Sequence, residues 1–101
     1  ELDRAALLIA AEEYPRLNPE KYLQQLDYLA AEANERLPKK EDAFERLLGL
    51  STFLFQDCGF GGNVENYYDA RNSFLNNVIE RRKGLPITLS VVFIEVARRL
   101  A

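Results

Sequence analysis

Apolar residues recur along this chain at intervals of three and four, the spacing of one face of an α-helix, and they predict about five helices. The first covers residues 2–14, sets Leu2, Ala6, Ile9 and Ala10 on one side, and stops before Pro15, which disfavours helical geometry in the residue before it. Asn18 and Pro19 open the second as cap and first helical residue; Tyr22, Leu26, Leu29, Ala30, Ala33 and Leu37 then form a stripe that ends at Pro38. The third spans residues 41–58, with Phe44, Leu47, Leu48, Ser51, Leu54 and Phe55 inward and Gly59 placed to end it in the left-handed conformation. Antiparallel packing of these helices is the simplest expectation.

The periodicity breaks over residues 59–72. Gly59, Gly61 and Gly62 permit unusual backbone angles, and Asn63, Asn66, Tyr67, Tyr68, Asp69 and Asn72 bring many hydrogen-bonding groups. A flexible linker would be poorer in aromatics, so this reads as a structured loop with Phe60 and at least one of Tyr67 and Tyr68 pinned to the core. Asn72 is placed to cap a fourth helix, residues 73–83, with Phe74, Leu75, Val78 and Ile79 inward and Gly84 as terminator. The fifth, residues 86–100, is apolar around most of its circumference through Ile87, Leu89, Val91, Val92, Phe93, Ile94, Val96, Ala97 and Leu100. Such a helix must be covered on nearly all sides. Four amphipathic helices cover only part of it, so the expectation is a truncated domain whose remaining cover, a β-sheet, lies downstream of Ala101; no segment here shows strand alternation.

Composition narrows the chemistry. A chain of 101 residues with 48% hydrophobic content is one domain, 1–101, large enough to own a core. Its net charge of -3 and the shortness of the basic run Arg81-Arg82-Lys83 argue against nucleic acid or an anionic membrane as partner. The longest apolar run, residues 91–94, is far too short to span a bilayer. One cysteine forms no internal disulfide, which makes the cytoplasm the expected location. With no histidine, the chain cannot carry out acid/base or nucleophilic catalysis by itself.

The residues that could carry chemistry each have a plainer role. Cys58 follows a helix C-terminus, where the dipole opposes a thiolate, and reads as a small core residue. Asp57, Glu65 and Asp69 lack the spacing of a calcium loop, and Gly59-Phe60-Gly61-Gly62 lacks the lysine and hydroxyl residue of a phosphate loop. No metal or cofactor is expected. Thr88 and Ser90 lie in the first turns of the fifth helix, where free N–H groups favour an anion or reacting group, yet both hydroxyls can bond back to nearby carbonyls. Arg81, Arg82, Arg98 and Arg99 could form a carboxylate or phosphate pocket, but a solvated surface with Glu95 paired to Arg98 or Arg99 is the simpler account.

The run Tyr67-Tyr68-Asp69-Ala70-Arg71-Asn72-Ser73-Phe74-Leu75-Asn76-Asn77-Val78, with Arg81-Arg82-Lys83-Gly84-Leu85-Pro86-Ile87-Thr88-Leu89-Ser90 after it, resembles the SirB family of transglutaminase-like proteins. Ala10-Ala11-Glu12-Glu13-Tyr14-Pro15 and Phe53-Leu54-Phe55 extend the resemblance over nearly the whole chain. It implies the helical N-terminal half of an α+β transglutaminase-like domain, followed by a sheet and often by tetratricopeptide-type repeats. In active members the nucleophilic cysteine begins the central helix in a Gly-x-Cys pattern, with arginine and leucine about three turns later. Here Gly84, Arg98 and Leu100 take the other places and Pro86 stands where the cysteine is expected. Proline suits the first turn of a helix but offers no nucleophile. The resulting expectation is an all-α, non-catalytic domain that binds a protein or small ligand in a degenerate cleft formed by Tyr67, Tyr68, Asp69, Asn72, Arg81, Arg82, Pro86, Thr88 and Ser90. Two rivals are an enzyme that uses Thr88 or Ser90 with a histidine outside the chain, and a helical adaptor that binds through its outer faces.

Overall fold

A computed structural model describes residues 2–37 and 42–100. Among them, five α-helices follow one another: α1 (Leu2–Glu13), α2 (Pro19–Arg36), α3 (Ala43–Thr52), α4 (Leu75–Arg81) and α5 (Pro86–Arg99). A π-helical turn, Phe53–Asp57, continues α3, and a 3-10 turn, Ala70–Ser73, precedes α4. Two short strands, β1 (Gly61–Gly62) and β2 (Lys83–Gly84), pair in parallel with Gly61 opposite Lys83 and Gly62 opposite Gly84. This pair was not legible from alternation, because two residues are too few to alternate. Among the described residues no helix is long and apolar enough to cross a membrane.

Helix α5 is the axis of the fold and packs against α1, α2, α3 and α4. Val92 and Val96 on α5 are fully enclosed by a core that includes Leu7, Leu26, Leu50, Leu54 and Val78. The second helix matches its sequence pattern. Asn18 Oδ1 accepts from the Glu20 amide at 3.1 Å, Pro19 takes the first position, and Tyr22, Leu26, Leu29, Ala30, Ala33 and Leu37 are all buried. The predicted stop at Pro38 and the predicted start of the third helix at Glu41 lie outside the described residues.

Three predicted elements are corrected. In α1 the buried positions are Asp3, Leu7 and Ala10, while Leu2 and Ile9 face outward. The reason is electrostatic: Asp3 and Glu95, each only 2% exposed, meet Arg99, which reaches three carboxylates at once. Arg99 Nη2 donates to Asp3 Oδ2 at 2.7 Å, Nη1 to Glu95 Oε1 at 3.0 Å, and Nε to Asp27 Oδ1 at 2.6 Å. Arg98 adds a 2.7 Å bond to Glu95, so both arginines pair with it rather than one. This cluster joins α1 and α2 to the C-terminal turn of α5. The cost of burying a charge forces the aspartate to its partners and turns α1 about its axis.

The third predicted helix runs on to Asp57, but its last turn is π-helical and its inward face differs from the prediction. The Cys58 amide donates to the Phe53 carbonyl at 2.8 Å, a five-residue return, and the core takes Leu50, Phe53 and Leu54 while Phe44, Leu47 and Leu48 stay exposed. Gly59 ends the turn with φ +82, as its position predicts. The fourth helix is shorter than predicted. It begins at Leu75, not Ser73, and ends where Arg82 adopts φ 62, not at Gly84, which belongs to β2. Leu75, Val78 and Ile79 are buried as predicted; Phe74 is half-buried and meets Tyr14 edge-on with ring centres 5.7 Å apart.

Burial by itself would raise the Asp3 carboxyl, but hydrogen bonds from Arg99 and from the Arg4 amide outweigh it and hold Asp3 below its ordinary 3.8. Removing the shared cation leaves two carboxylates buried without it. Arg99→Ala is expected to lower unfolding stability by about 3–5 kcal/mol in urea titration. Because the folded Asp3 value is depressed, its contribution is complete above pH 3.8 and is lost as pH falls through the lower folded value. Asp3→Asn should therefore lower the neutral-pH stability and flatten its decline in acid, read from urea midpoints at a series of pH values.

Candidate functional site

Helix α5 begins at Pro86, whose fixed φ suits a first helical position, and its start is tied to the preceding loop by one hydroxyl. Thr88 Oγ1 donates to the Asn72 carbonyl at 2.8 Å and accepts from the Leu85 amide at 3.0 Å. Gly84 makes room for it: a Cβ there would stand 2.7 Å from Thr88 Oγ1 and 3.0 Å from Val78 Cγ2. Thr88 is thus buried against the loop.

Asn72 is fully buried and does not cap a helix, contrary to the sequence expectation. The cap of the 3-10 turn is Asp69, whose Oδ1 accepts from the Arg71 amide at 2.9 Å. Asn72 instead holds the loop together. Its Nδ2 donates to the carbonyls of Asn66 and Tyr67 at 2.9 Å each, and its Oδ1 accepts from Asn63 Nδ2 at 3.1 Å. Asn63 Oδ1 in turn accepts from the Asn66 amide at 3.2 Å. Every side-chain polar atom of Asn63 and Asn72 is therefore placed against a partner in a segment with almost no regular ladder.

Around this junction the predicted site residues divide. Phe60 is buried as expected, but Tyr67 and Tyr68 are 56% and 96% exposed, so neither is pinned to the core. The Asn66 and Tyr67 carbonyls are drawn inward to Asn72, which leaves both rings outside, packed edge-on with centroids 5.3 Å apart. Asp69 grips Arg71 at 2.7 Å and lies 3.6 Å from Arg81. Hydrogen bonds from the Arg71 side chain and amide, with Arg81 nearby, pull the Asp69 carboxyl down to about 2. Arg82 donates to the Cys58 carbonyl at 2.7 Å and lies over the Phe60 ring, so it closes the end of the π-helical turn. Both arginines of the basic run are turned to intramolecular partners. Burial pushes the Cys58 thiol up, against the weaker opposing pull of Arg82, which suits a core residue and not a nucleophile.

Pro86 and Ser90 come together elsewhere, on the opposite side of the α5 start from Asn72. With Phe55, Leu89, Phe93 and Ile94 they line an apolar surface hollow of about 450 Å³. The Ser90 hydroxyl donates to the Pro86 carbonyl at 2.8 Å and presents no free proton to the hollow. Phe55 and Phe93 stack with ring planes 14° apart, and the π-helical turn is what sets Phe55 there. Reasoning from sequence placed Phe55 and Phe93 only as core residues; the apolar circumference of α5 was the signal that one side of it stands open. Asn63 and Arg71 were likewise missed as organisers. Among the described residues no group of three acidic or thiol side chains could hold a metal ion.

These features define an all-α domain built round a central helix whose glycine-leucine-proline entry borders a surface hollow. Residues 20–101 match the transglutaminase-like superfamily, and the chain belongs to it. It is 48% identical over 101 residues to a UPF0162 protein of Xylella fastidiosa, covering 94% of this chain and 34% of that protein. A UPF0162 protein of Vibrio cholerae is 33% identical over 88 residues, covering 83% of this chain and 33% of its own length. Mouse F-box only protein 21 is 40% identical over 51 residues, which is 50% of this chain and 8% of that protein. The chain thus spans about a third of the length of its bacterial relatives. No solved structure matches it.

Truncating Asn72 would strand the Asn66 and Tyr67 carbonyls and the Asn63 amide. Asn72→Ala is expected to cost about 2–3 kcal/mol by chemical denaturation, with the Tyr67 and Tyr68 ring signals shifting in NMR spectra. Gly84→Ala should cost about 1–3 kcal/mol by the same measurement, through the Thr88 and Val78 clashes. A loss below about half a kcal/mol in either variant would contradict the roles given to these residues.

Proposed function

We propose that this chain is the helical part of a non-catalytic transglutaminase-like domain, allied to the SirB family, that binds a protein or small ligand beside Pro86. The observation that carries the reading is the pairing of Pro86 with an apolar hollow at the start of α5, where an active relative would present its nucleophile. A hollow lined by Phe55, Leu89, Phe93 and Ile94 suits an apolar group.

The rival reading makes Thr88 or Ser90 a nucleophile. Against it stand the hydrogen bonds of both hydroxyls to carbonyls, at 2.8 Å in each case, and the burial of Thr88. Neither is paired to a base in the chain. An adaptor working through outer faces would draw on exposed Phe44, Leu47 and Leu48 of α3 instead of the hollow. For the whole protein, the proposal includes a sheet seated on the open side of α5, tetratricopeptide-type repeats after it, and a cytoplasmic setting.

Two measurements test the reading. A fluorophosphonate probe applied to the full-length protein should label neither Thr88 nor Ser90; labelling there, or a hydrolase or transamidase activity abolished by Thr88→Val or Ser90→Ala, overturns it. The apolar dye 1-anilinonaphthalene-8-sulfonate should bind the chain and lose about tenfold in affinity in Ile94→Asp, a change at an exposed position that leaves the fold intact. Dye binding unchanged by Ile94→Asp but lost in Leu47→Asp favours the outer-face adaptor.

A further inference from the structure

Among the described residues Arg82 is the one residue other than glycine with a positive φ, at φ 62 and ψ 24 just past the end of α4. A side chain in this left-handed region crowds its own backbone, and glycine or asparagine is the usual choice where a helix ends this way. Such a conformation persists where the surroundings hold it. Arg82 Nη1 donates to the Cys58 carbonyl at 2.7 Å, its guanidinium carbon lies 5.3 Å from the centre of the Phe60 ring, and its own carbonyl accepts from the Gly61 amide at 3.0 Å. Glycine would keep the last of these contacts without strain and lose the other two. What the arginine adds is therefore a hold on the segment that follows the Phe53–Asp57 turn.

That turn is the second irregularity of the backbone. The Cys58 amide returns to the Phe53 carbonyl at 2.8 Å, while the Leu54 carbonyl, its acceptor in an α-helix, is taken by the Phe60 amide at 3.0 Å. Phe53 and Phe60, each 2% exposed, anchor the two ends, and an arginine lies over each ring: Arg36 of α2 over Phe53 and Arg82 over Phe60. Between these anchors the wider π turn carries each side chain to a different place round the axis from an α-helix, and it sets Phe55 on Phe93 with ring centroids 6.2 Å apart. Phe55 is only half-buried, so its own packing holds it less firmly than its neighbours Phe53 and Leu54 are held. Single π turns of this kind recur at functional sites.

We propose that Arg82 is a positioning residue for the hollow beside Pro86: by holding the Cys58 carbonyl it keeps the Phe53–Asp57 turn in its π register and Phe55 in the wall. This rests on the binding role proposed for that hollow, and it makes the shape of the hollow depend on a residue that does not line it.

Para-fluorophenylalanine in place of Phe55 in the full-length protein, followed by fluorine NMR, reads the ring directly. The expected result is a signal that Phe93→Leu displaces, that Arg82→Gly displaces in the same direction, and that Arg82→Lys leaves near its original position, because an ammonium can reach the same carbonyl. The thermal midpoint of Arg82→Gly should stay within about 3 °C of the unsubstituted protein, since glycine relieves the left-handed residue as the exposed bond is lost. Affinity for 1-anilinonaphthalene-8-sulfonate should fall about fivefold in Arg82→Gly. A fluorine signal unmoved in Arg82→Gly overturns the inference. So does a signal displaced as far in Arg82→Lys, or displaced only with a midpoint loss above about 3 °C, which is the mark of a merely structural role. Dye binding that depends on Ile94 yet is unchanged in Arg82→Gly overturns it as well. Dye binding indifferent to Ile94→Asp counts instead against the hollow as the binding site, and the fluorine signal then still decides whether Arg82 positions Phe55.

Discussion

One hydrogen bond, from the Thr88 hydroxyl to the Asn72 carbonyl at 2.8 Å, joins the two parts of this structure that periodicity does not explain. On one side is a loop with little ladder of its own, closed by Asn72 and Asn63. On the other is the entry to the central helix, where Pro86 donates no N–H and Thr88 takes up the Leu85 amide. Gly84 permits the contact because a Cβ there would stand only 2.7 Å from the hydroxyl oxygen. Loop, strand pair and helix start are therefore held as one polar unit over an apolar core, each member depending on the others being satisfied.

That unit consumes most of the reactive-looking groups of the region. Thr88 is committed to Asn72, Ser90 to Pro86, Arg82 to Cys58, and Asp69 to Arg71 and Arg81. Ile94 and the tyrosine pair face outward beside the half-buried Phe55 and Phe93 stack, among exposed polar residues such as Glu65 and Lys83. The arginine-centred cluster at the far end of α5 acts separately, fixing α1 and α2 against the same helix.

How much of this could be read from the chain depended on whether local rules or distant partners decided each position. The second helix was fully legible because Asn18, Pro19 and an unbroken apolar stripe all agree. The first helix was placed correctly but rotated, since Asp3 is buried by Arg99 from the opposite end of the sequence and no local pattern signals that pairing. The π-helical turn shifted the apolar phase after Thr52 and moved Phe55 to the hollow. Among site residues, the back-bonding of Ser90 was foreseen from its place in the first turns of a helix, whereas Thr88 gives its proton to the distant Asn72 carbonyl, which no local pattern signals. The outward tyrosines were not, because their carbonyls, and not their rings, are what Asn72 holds.

The central claim is that loop 63–72 and the start of α5 open and close as one unit through the Thr88 hydroxyl. Amide hydrogen exchange in the native chain and in Thr88→Val measures this most directly. The account predicts that Leu85, Asn66 and Asn72 amides are protected together and lose protection together in the variant. Leu85 exchanging faster while Asn66 and Asn72 keep their protection would contradict it.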